Sequence, residues 1–347
     1  METIHTALYR KYRPHTFAEI RGQEPIVKAL EGAILSGRIP HALLFVGARG
    51  TGKTSMARIF AAAAGAEPID IYEIDAASNR GIDDIRGLRE AVHTLPYESP
   101  RKVYIIDEVH MLTKDAWNAF LKTLEEPPAH VIFILATTES EKLLDTVVSR
   151  CQIFQFKAPT RALLRDTVLD IAEKEKFALG SDGADLIALA ADGSFRDALG
   201  IMQKVMMASI DENASTDEVA DIIGAPKGAL VMDVVMALHA QDTTKGLAAI
   251  ALAQEQNVEM KLFARLILER VRALILARHG SDPNGVLVHL REDDRADIAA
   301  LAKDPASSIN SALLSRLLLA AEQVGHTYIP QLPLELAIID LTTKHTA

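Results

Sequence analysis

Two rhythms of apolar and polar positions alternate along the first 157 residues. Apolar runs at 42–46 and 131–136 read as buried strands, as does 102–108, which ends in two carboxylates. Residues 69–74 alternate as a half-buried strand does, and 152–156 form a fifth, shorter run. Between these runs, apolar residues recur at helical spacing over 24–36, closed by Gly37, and over 55–64, 83–94 and 115–124, the last closed by Glu125-Glu126-Pro127-Pro128. Such alternation predicts an α/β module with a parallel sheet. It stops after residue 157, where Ala158-Pro159-Thr160 reads as a boundary. Beyond it the chain reads as wholly helical: helices fill 160–210, the polar stretch 211–217 reads as a linker, and 216–345 carries 3.6-residue apolar patterns such as Leu262 and Leu266. The predicted class is α/β then all-α, with domains at 1–157, 158–214 and 215–347.

The length of 347 residues fits two or three domains. No apolar run reaches 18 residues, so no membrane span is expected, and residues 1–5 lack the basic-then-apolar order of a secretory leader. The single cysteine, Cys151, excludes an internal disulfide and a cysteine-cluster zinc site. Together these features predict a cytoplasmic protein. The net charge of −10 argues against a chain coated in nucleic acid. The charge is uneven, however. Residues 1–60 hold nine Lys/Arg against four Asp/Glu, and residues 215–347 hold twelve against seventeen. That balance permits a local site for a polyanion such as ATP or DNA.

The chemistry centres on residues 46–55, where Gly47, Ala48, Arg49, Gly50, Thr51, Gly52, Lys53, Thr54 and Ser55 follow a predicted strand and open a predicted helix. This is the P-loop pattern in the context it requires. Its glycines let several N–H groups face one anion at a helix N-terminus, Lys53 reaches the β- and γ-phosphates, and the Thr54 hydroxyl sits on Mg²⁺. The strand ending in Asp107-Glu108 is a Walker B arrangement, with Asp107 for Mg²⁺ and Glu108 as the general base that polarises water. Thr138, past the strand at 131–136, lies where open α/β sheets bind ligands and could sense the γ-phosphate; an unremarkable strand end reads as well there. Arg150 could be a surface charge or a finger reaching a neighbour's nucleotide. The basic and aromatic mixture Tyr9-Arg10-Lys11-Tyr12-Arg13-Pro14 could cradle a nucleotide base or touch phosphate, but composition alone favours an exposed arm of solvated charges. His289, His326 and His345 are scattered and read as structural or solvated.

The assembled stretches resemble the AAA+ ATPases and, more closely, the gamma/tau subunits of bacterial DNA polymerase III. The resemblance rests on Tyr12-Arg13-Pro14 with Phe17, Gly22-Gln23-Glu24, residues 47–54, Glu73-Ile74-Asp75-Ala76-Ala77-Ser78, residues 106–112, residues 121–128, Ala136-Thr137-Thr138, Ser149-Arg150-Cys151, residues 193–198 and Leu332-Pro333-Leu334-Glu335-Leu336. It implies an AAA+ P-loop module, a small helical lid and a C-terminal helical collar. It implies ATP held between module and lid, with Tyr9, Arg13, Pro14 and Ile20 lining the adenine pocket. Thr138 would be sensor 1, Arg196 sensor 2 and Arg150 a trans arginine finger. The implied assembly is a pentameric ring of gamma/tau copies with delta and delta-prime subunits. That ring opens a sliding clamp and loads it onto primer–template DNA.

Two departures stand out. The family's four-cysteine zinc module has no counterpart between the P-loop helix and residue 73, so zinc is not expected. The chain also stops after the collar, as the short gamma form does. A Holliday-junction motor would call for a C-terminal winged helix, which the acidic helical 216–345 does not suit. A non-hydrolysing scaffold of delta-prime type would carry a damaged P-loop, whereas Lys53, Thr54, Asp107 and Glu108 are all present. No carboxylate triad for nucleotidyl transfer stands out, although the family is often filed under its holoenzyme's DNA-directed DNA polymerase activity.

Overall fold

The computed structural model describes residues 6–209, 211–226, 228–280, 292–304 and 307–343. The leader reading at 1–5, His289 and His345 lie outside the described residues. Contacts divide the chain into two compact units, 1–214 and 215–347. No helix among the described residues is long and apolar enough to cross a membrane.

The first unit holds a five-stranded sheet in the order β2-β3-β4-β1-β5, parallel throughout. Its strands are β1 (Ala42–Val46), β2 (Ile71–Asp75), β3 (Lys102–Asp107), β4 (Val131–Thr137) and β5 (Gln152–Gln155). β1 and β4 are buried at every position because helices cover both faces. The pleat divides the side chains of β1 and β3. Leu44, Val46, Tyr104 and Ile106 enter one core with Trp117 and Phe120, and Leu43, Phe45, Val103 and Ile105 enter the other with Met56 and Phe60. Each such buried side chain contributes about 1.5–3 kcal/mol. Leu44→Asp would therefore break the centre of the sheet by burying an unpaired charge.

The expected half-buried strand at 69–74 begins later. Residues Pro68–Asp70 form a 3-10 turn, and Asp70 is fully buried. Its carboxylate accepts from the N–H groups of Tyr97, Glu98 and Ser99 and from the Ser99 hydroxyl. Burial pushes its pKa up, but these donors outweigh burial and bring it down to about 2. The loop before β3 is thereby held by one carboxylate.

The helices of this unit are α1 (Leu8–Lys11), α2 (Glu24–Leu35), α3 (Lys53–Ala63), α4 (Ile82–Val92), α5 (Lys114–Glu125), α6 (Asp145–Val148), α7 (Arg161–Lys174), α8 (Ser181–Ala190) and α9 (Phe195–Ala208). Several start at side-chain caps: Thr113 accepts from Ala116 N–H, Thr160 from Leu163 N–H and Ser194 from Asp197 N–H.

The region beyond 157 is not wholly helical. A two-residue strand, β6 (Ala178–Leu179), pairs in parallel with β7 (Asn213–Ala214). The stretch 211–217 is correspondingly no free linker, since it contains β7 and the capping box in which Ser215 and Glu218 exchange hydrogen bonds.

The second unit is helical: α10 (Thr216–Ile223), α11 (Gly228–Ala240), α12 (Thr243–Glu255), α13 (Met260–Arg278), α14 (Glu292–Lys303), α15 (Ser311–Gln323) and α16 (Leu332–Thr342). Asp242, Glu259 and Asn310 cap α12, α13 and α15 through their side-chain oxygens. α13 and α14 share a buried ion pair in which Arg270 Nε and Nη2 lie 3.0 and 2.7 Å from Asp294 Oδ2. Removing one partner would strand a buried charge, at a cost of about 3–5 kcal/mol.

Candidate functional site

A cavity of about 450 Å³ opens in the first unit at the carboxyl ends of β1 and β3, where an open parallel sheet binds ligands. The loop from β1 to α3 forms its floor. Gly47 has φ +155°, and a Cβ there would meet the Phe156 carbonyl oxygen at 2.6 Å. Gly50 has φ +75°, and a Cβ there would lie 1.9 Å from Ser194 Oγ. The loop thus needs glycine both for its backbone angles and for close packing on the start of α9.

Lys53, the first residue of α3, is buried and donates to the carbonyls of Gly47 (2.7 Å) and Ala48 (2.9 Å). Burial lowers its pKa, while the carboxylates of Glu108 and Asp107 oppose that fall. The Thr54 hydroxyl donates to Asp107 Oδ2 at 2.9 Å. A hydroxyl and a carboxylate at that spacing form a hard-oxygen pair that suits Mg²⁺.

β4 lies between β3 and β1, and its end carries the next layer of groups. Gly47 N–H donates to the Thr137 carbonyl at 3.1 Å, which ties the loop to β4. Glu108 has φ +50°, a left-handed conformation that costs a residue with a side chain about 1 kcal/mol or more. It turns the chain sharply after β3. Thr138 Oγ1 donates to Glu108 Oε2 at 3.3 Å, so these two candidates meet directly although Thr138 does not line the cavity.

The opposite wall comes from the N-terminal segment and from α7 and α9. Tyr9, Arg13, Pro14 and Ile20 all line the cavity, with Arg49 and Arg196. The expectation of an exposed, solvated arm at 9–14 is therefore corrected. The segment is pinned: Leu8 N–H donates to Gln203 Oε1 (3.0 Å), the Tyr12 hydroxyl to Glu175 Oε1 (2.5 Å) and Lys11 Nζ to the same oxygen (2.7 Å). Arg21 Nη2 pairs with Asp170 Oδ2 at 2.5 Å. The Tyr9 ring has the Arg10 and Arg196 guanidinium carbons 5.7 and 5.8 Å from its centroid, a cation–π arrangement on the sensor candidate. Burial and the neighbouring Arg58 lower the Arg13 pKa, as expected beside an anion site of clustered cations. Phe195 N–H donates to the Gly50 carbonyl at 3.0 Å, so the helix that carries Arg196 is hydrogen-bonded to the P-loop itself.

Arg150 stands apart from these groups. It does not line the cavity; its Nη1 donates to the Thr146 carbonyl (2.6 Å) and its Nη2 pairs with Glu125 Oε1 (2.5 Å).

Sequence reasoning missed Ser194, Glu175 and Asp170 at the site. Ser194 fell inside a stretch quoted for the resemblance. Asp170 and Glu175 carried no local signal.

Residues 65–160 match the family model described as DNA polymerase III, delta subunit. Residues 214–346 match that described as DNA polymerase III subunits gamma and tau domain III. The DNA polymerase III subunit tau of Bacillus subtilis is 39% identical over 310 residues, 83% of this chain and 55% of that protein. The gamma/tau subunit of Mycobacterium tuberculosis is 36% identical over 335 residues, covering 89% and 57%. The tau subunit of Escherichia coli is 37% identical over 311 residues, covering 82% and 48%. The chain spans about half the length of the curated relatives it matches. Among solved structures, the RuvB Holliday junction branch migration motor of Thermotoga maritima superposes with a TM-score of 0.53 at 22% identity, over 65% of this chain and 79% of that one. That likeness shows the AAA+ fold and carries no more than the fold.

Proposed function

We propose that this chain, which belongs to the gamma/tau family of DNA polymerase III subunits, is an ATP-hydrolysing motor subunit of a clamp loader. The observation that carries the reading is an intact hydrolytic set in one cavity: Lys53, Thr54, Asp107 and Glu108, faced by Arg196. The domains then take roles. Residues 1–157 bind ATP, 158–214 form the lid, and 215–347 form the collar through which subunits associate.

In this reading the ATP phosphates lie on the N–H groups of residues 47–55. Lys53 leaves the Gly47 and Ala48 carbonyls for the β- and γ-oxygens, an exchange of neutral acceptors for charged ones. Mg²⁺, held by Thr54 and Asp107, neutralises phosphate charge when bound. Glu108 takes the proton of the attacking water, and Thr138 steers the Glu108 carboxylate. Arg196 contacts the γ-phosphate, and Tyr9, Arg13, Pro14 and Ile20 enclose the base. Arg150 serves a neighbouring subunit's ATP, in keeping with its place outside this chain's own cavity. The partners are further gamma/tau copies, delta and delta-prime subunits in a ring of five, the sliding clamp and primer–template DNA, all in the cytoplasm.

The match of residues 65–160 to a delta-subunit model favours a second reading, a scaffold that does not turn over ATP. Steady-state ATP hydrolysis by the chain reconstituted with delta-type partners separates the two. The motor reading expects stimulation by primed DNA plus clamp, lost in Arg150→Ala. Hydrolysis indifferent to clamp and to Arg150 would sink it, and the absence of any hydrolysis would favour the scaffold.

A further inference from the structure

The turn after β3 brings together four side chains to which the hydrolytic reading gives no part: His110, Thr137, Glu139 and Lys142. The left-handed backbone of Glu108 reverses the chain, and Val109 drops into the core. The 3-10 turn Val109–Met111, closed by the Met111 N–H to the Glu108 carbonyl at 2.9 Å, then swings His110 over the end of β4. The imidazole is buried, with its side chain 7% exposed. Its Nδ1 lies 2.9 Å from Thr137 Oγ1 and 3.5 Å from Glu108 Oε2, and its Nε2 lies 3.2 Å from Glu139 Oε1. Glu139 Oε2 is paired in turn with Lys142 Nζ at 2.5 Å, a contact that holds the Glu139 carboxyl below the usual range.

Glu139 anchors the ring from behind: its carboxylate takes a donor at Nε2, and its N–H donates to Thr137 Oγ1 at 3.0 Å, the hydroxyl that lies 2.9 Å from Nδ1. The Nδ1 edge of the ring is thereby held toward Glu108. On that side the Glu108 carboxylate meets the ring, with Oε2 3.5 Å from Nδ1 and no hydrogen bond between them among the described residues. Among the described residues, Thr138 supplies the one hydrogen bond to the Glu108 carboxylate. A buried imidazole between two carboxylates is a poor choice for filling space, which an apolar residue would do without needing partners.

We propose that His110 is a positioning residue. It is a backstop, anchored through Glu139 and Lys142, that confines the Glu108 carboxylate to the cavity side and so sets the rate of the chemical step without setting nucleotide affinity. The inference rests on the reading of Glu108 as the general base.

The test uses the chain assembled with its ring partners. It measures kcat and KM for ATP, affinity for a non-hydrolysable ATP analogue, and thermal melting, in His110→Ala, His110→Gln, Glu139→Gln and Glu108→Gln. A misplaced base costs rate, and general-base catalysis spans about 10²–10⁴-fold. His110→Ala should lower kcat about tenfold with analogue affinity within about twofold. His110→Gln, whose amide reaches the Nε2 position, should recover most of the loss. Glu139→Gln, a near-isosteric change on a half-exposed side chain, should lower kcat about threefold. Unchanged kcat in His110→Ala and Glu139→Gln would overturn the assignment, as would a fall in kcat matched by equal losses of affinity and melting temperature. If Glu108→Gln abolishes hydrolysis and the His110 variants do not slow it, only the His110 assignment falls. If Glu108→Gln turns over like the wild type, the general-base reading fails first.

Discussion

The two ends of the cavity are built by different means. The end proposed to take the phosphates is local. Within the loop from Gly47 to Lys53, backbone groups are aimed by glycine conformations and one buried lysine is held by that loop's own carbonyls. The end proposed to take the base is distributed. It is closed by side chains brought together across 163 residues at Tyr12 and Glu175, 149 at Arg21 and Asp170, and 195 at Leu8 and Gln203. A local device places its groups through covalent geometry, so each member is indispensable. A distributed one divides its work among several contacts, of which the solvent-exposed ones are worth little alone.

The sharpest test of this contrast is Lys53→Ala. A charge-assisted contact to phosphate is worth about 1.5–3 kcal/mol, so nucleotide affinity should fall about 10- to 100-fold and phosphate release should stop. A fluorescent ATP analogue and a phosphate-release assay would read both, and a loss under about threefold would erase the contrast. Gly50→Ala comes next. Its Cβ would collide with Ser194 Oγ from a left-handed backbone, which should cost about 1–3 kcal/mol and loosen the start of α9. A drop in melting temperature with weaker nucleotide binding is the expected pair of readouts. At the base end, Arg21→Ala should weaken binding less than about fivefold, because the Arg21 and Asp170 side chains are 42% and 47% exposed. A Glu175→Gln variant should match it, and the double variant should add the two losses.

The smallest effect is a pH dependence. Burial raises the Glu175 pKa, but Lys11 and Tyr12 outweigh it and leave the group below the usual carboxylate range. Its contribution to stability is thus present above the unfolded value of about 4.3 and is lost as pH falls through the depressed folded value. Melting curves between about pH 5 and pH 3 should show wild type losing more than Glu175→Gln over that window.

The same contrast explains what could be read in the sequence. β1, the P-loop and the Asp107-Glu108 strand end are contiguous, so periodicity and spacing expose them. The apolar runs 42–46 and 131–136 read as buried strands, and β1 and β4 are indeed covered on both faces. Composition alone favoured an exposed arm at 9–14 because the partners of Leu8 and Tyr12, Gln203 and Glu175, lie far along the chain and carry no pattern of their own. β6 and β7 escaped because two-residue strands have no period. Asp70 looked like one polar position of an alternating strand, yet its donors come from a loop 27 to 29 residues later. His110 gave no signal beyond its neighbours, since its meaning depends on a left-handed turn at Glu108 that a glutamate does not advertise.

Cys151, beside Arg150, packs against the core under the sheet, and burial pushes its thiol up to about 12. At neutral pH it is almost wholly protonated and a slow nucleophile toward maleimides and iodoacetamides. Because it is the sole cysteine of the 347 residues, the chain is close to a ready-made background for site-specific labelling. A reporter thiol introduced on α7 and another on α3 could carry a fluorophore pair without first removing the native residue, and the separation of the two helices could then be followed on addition of nucleotide.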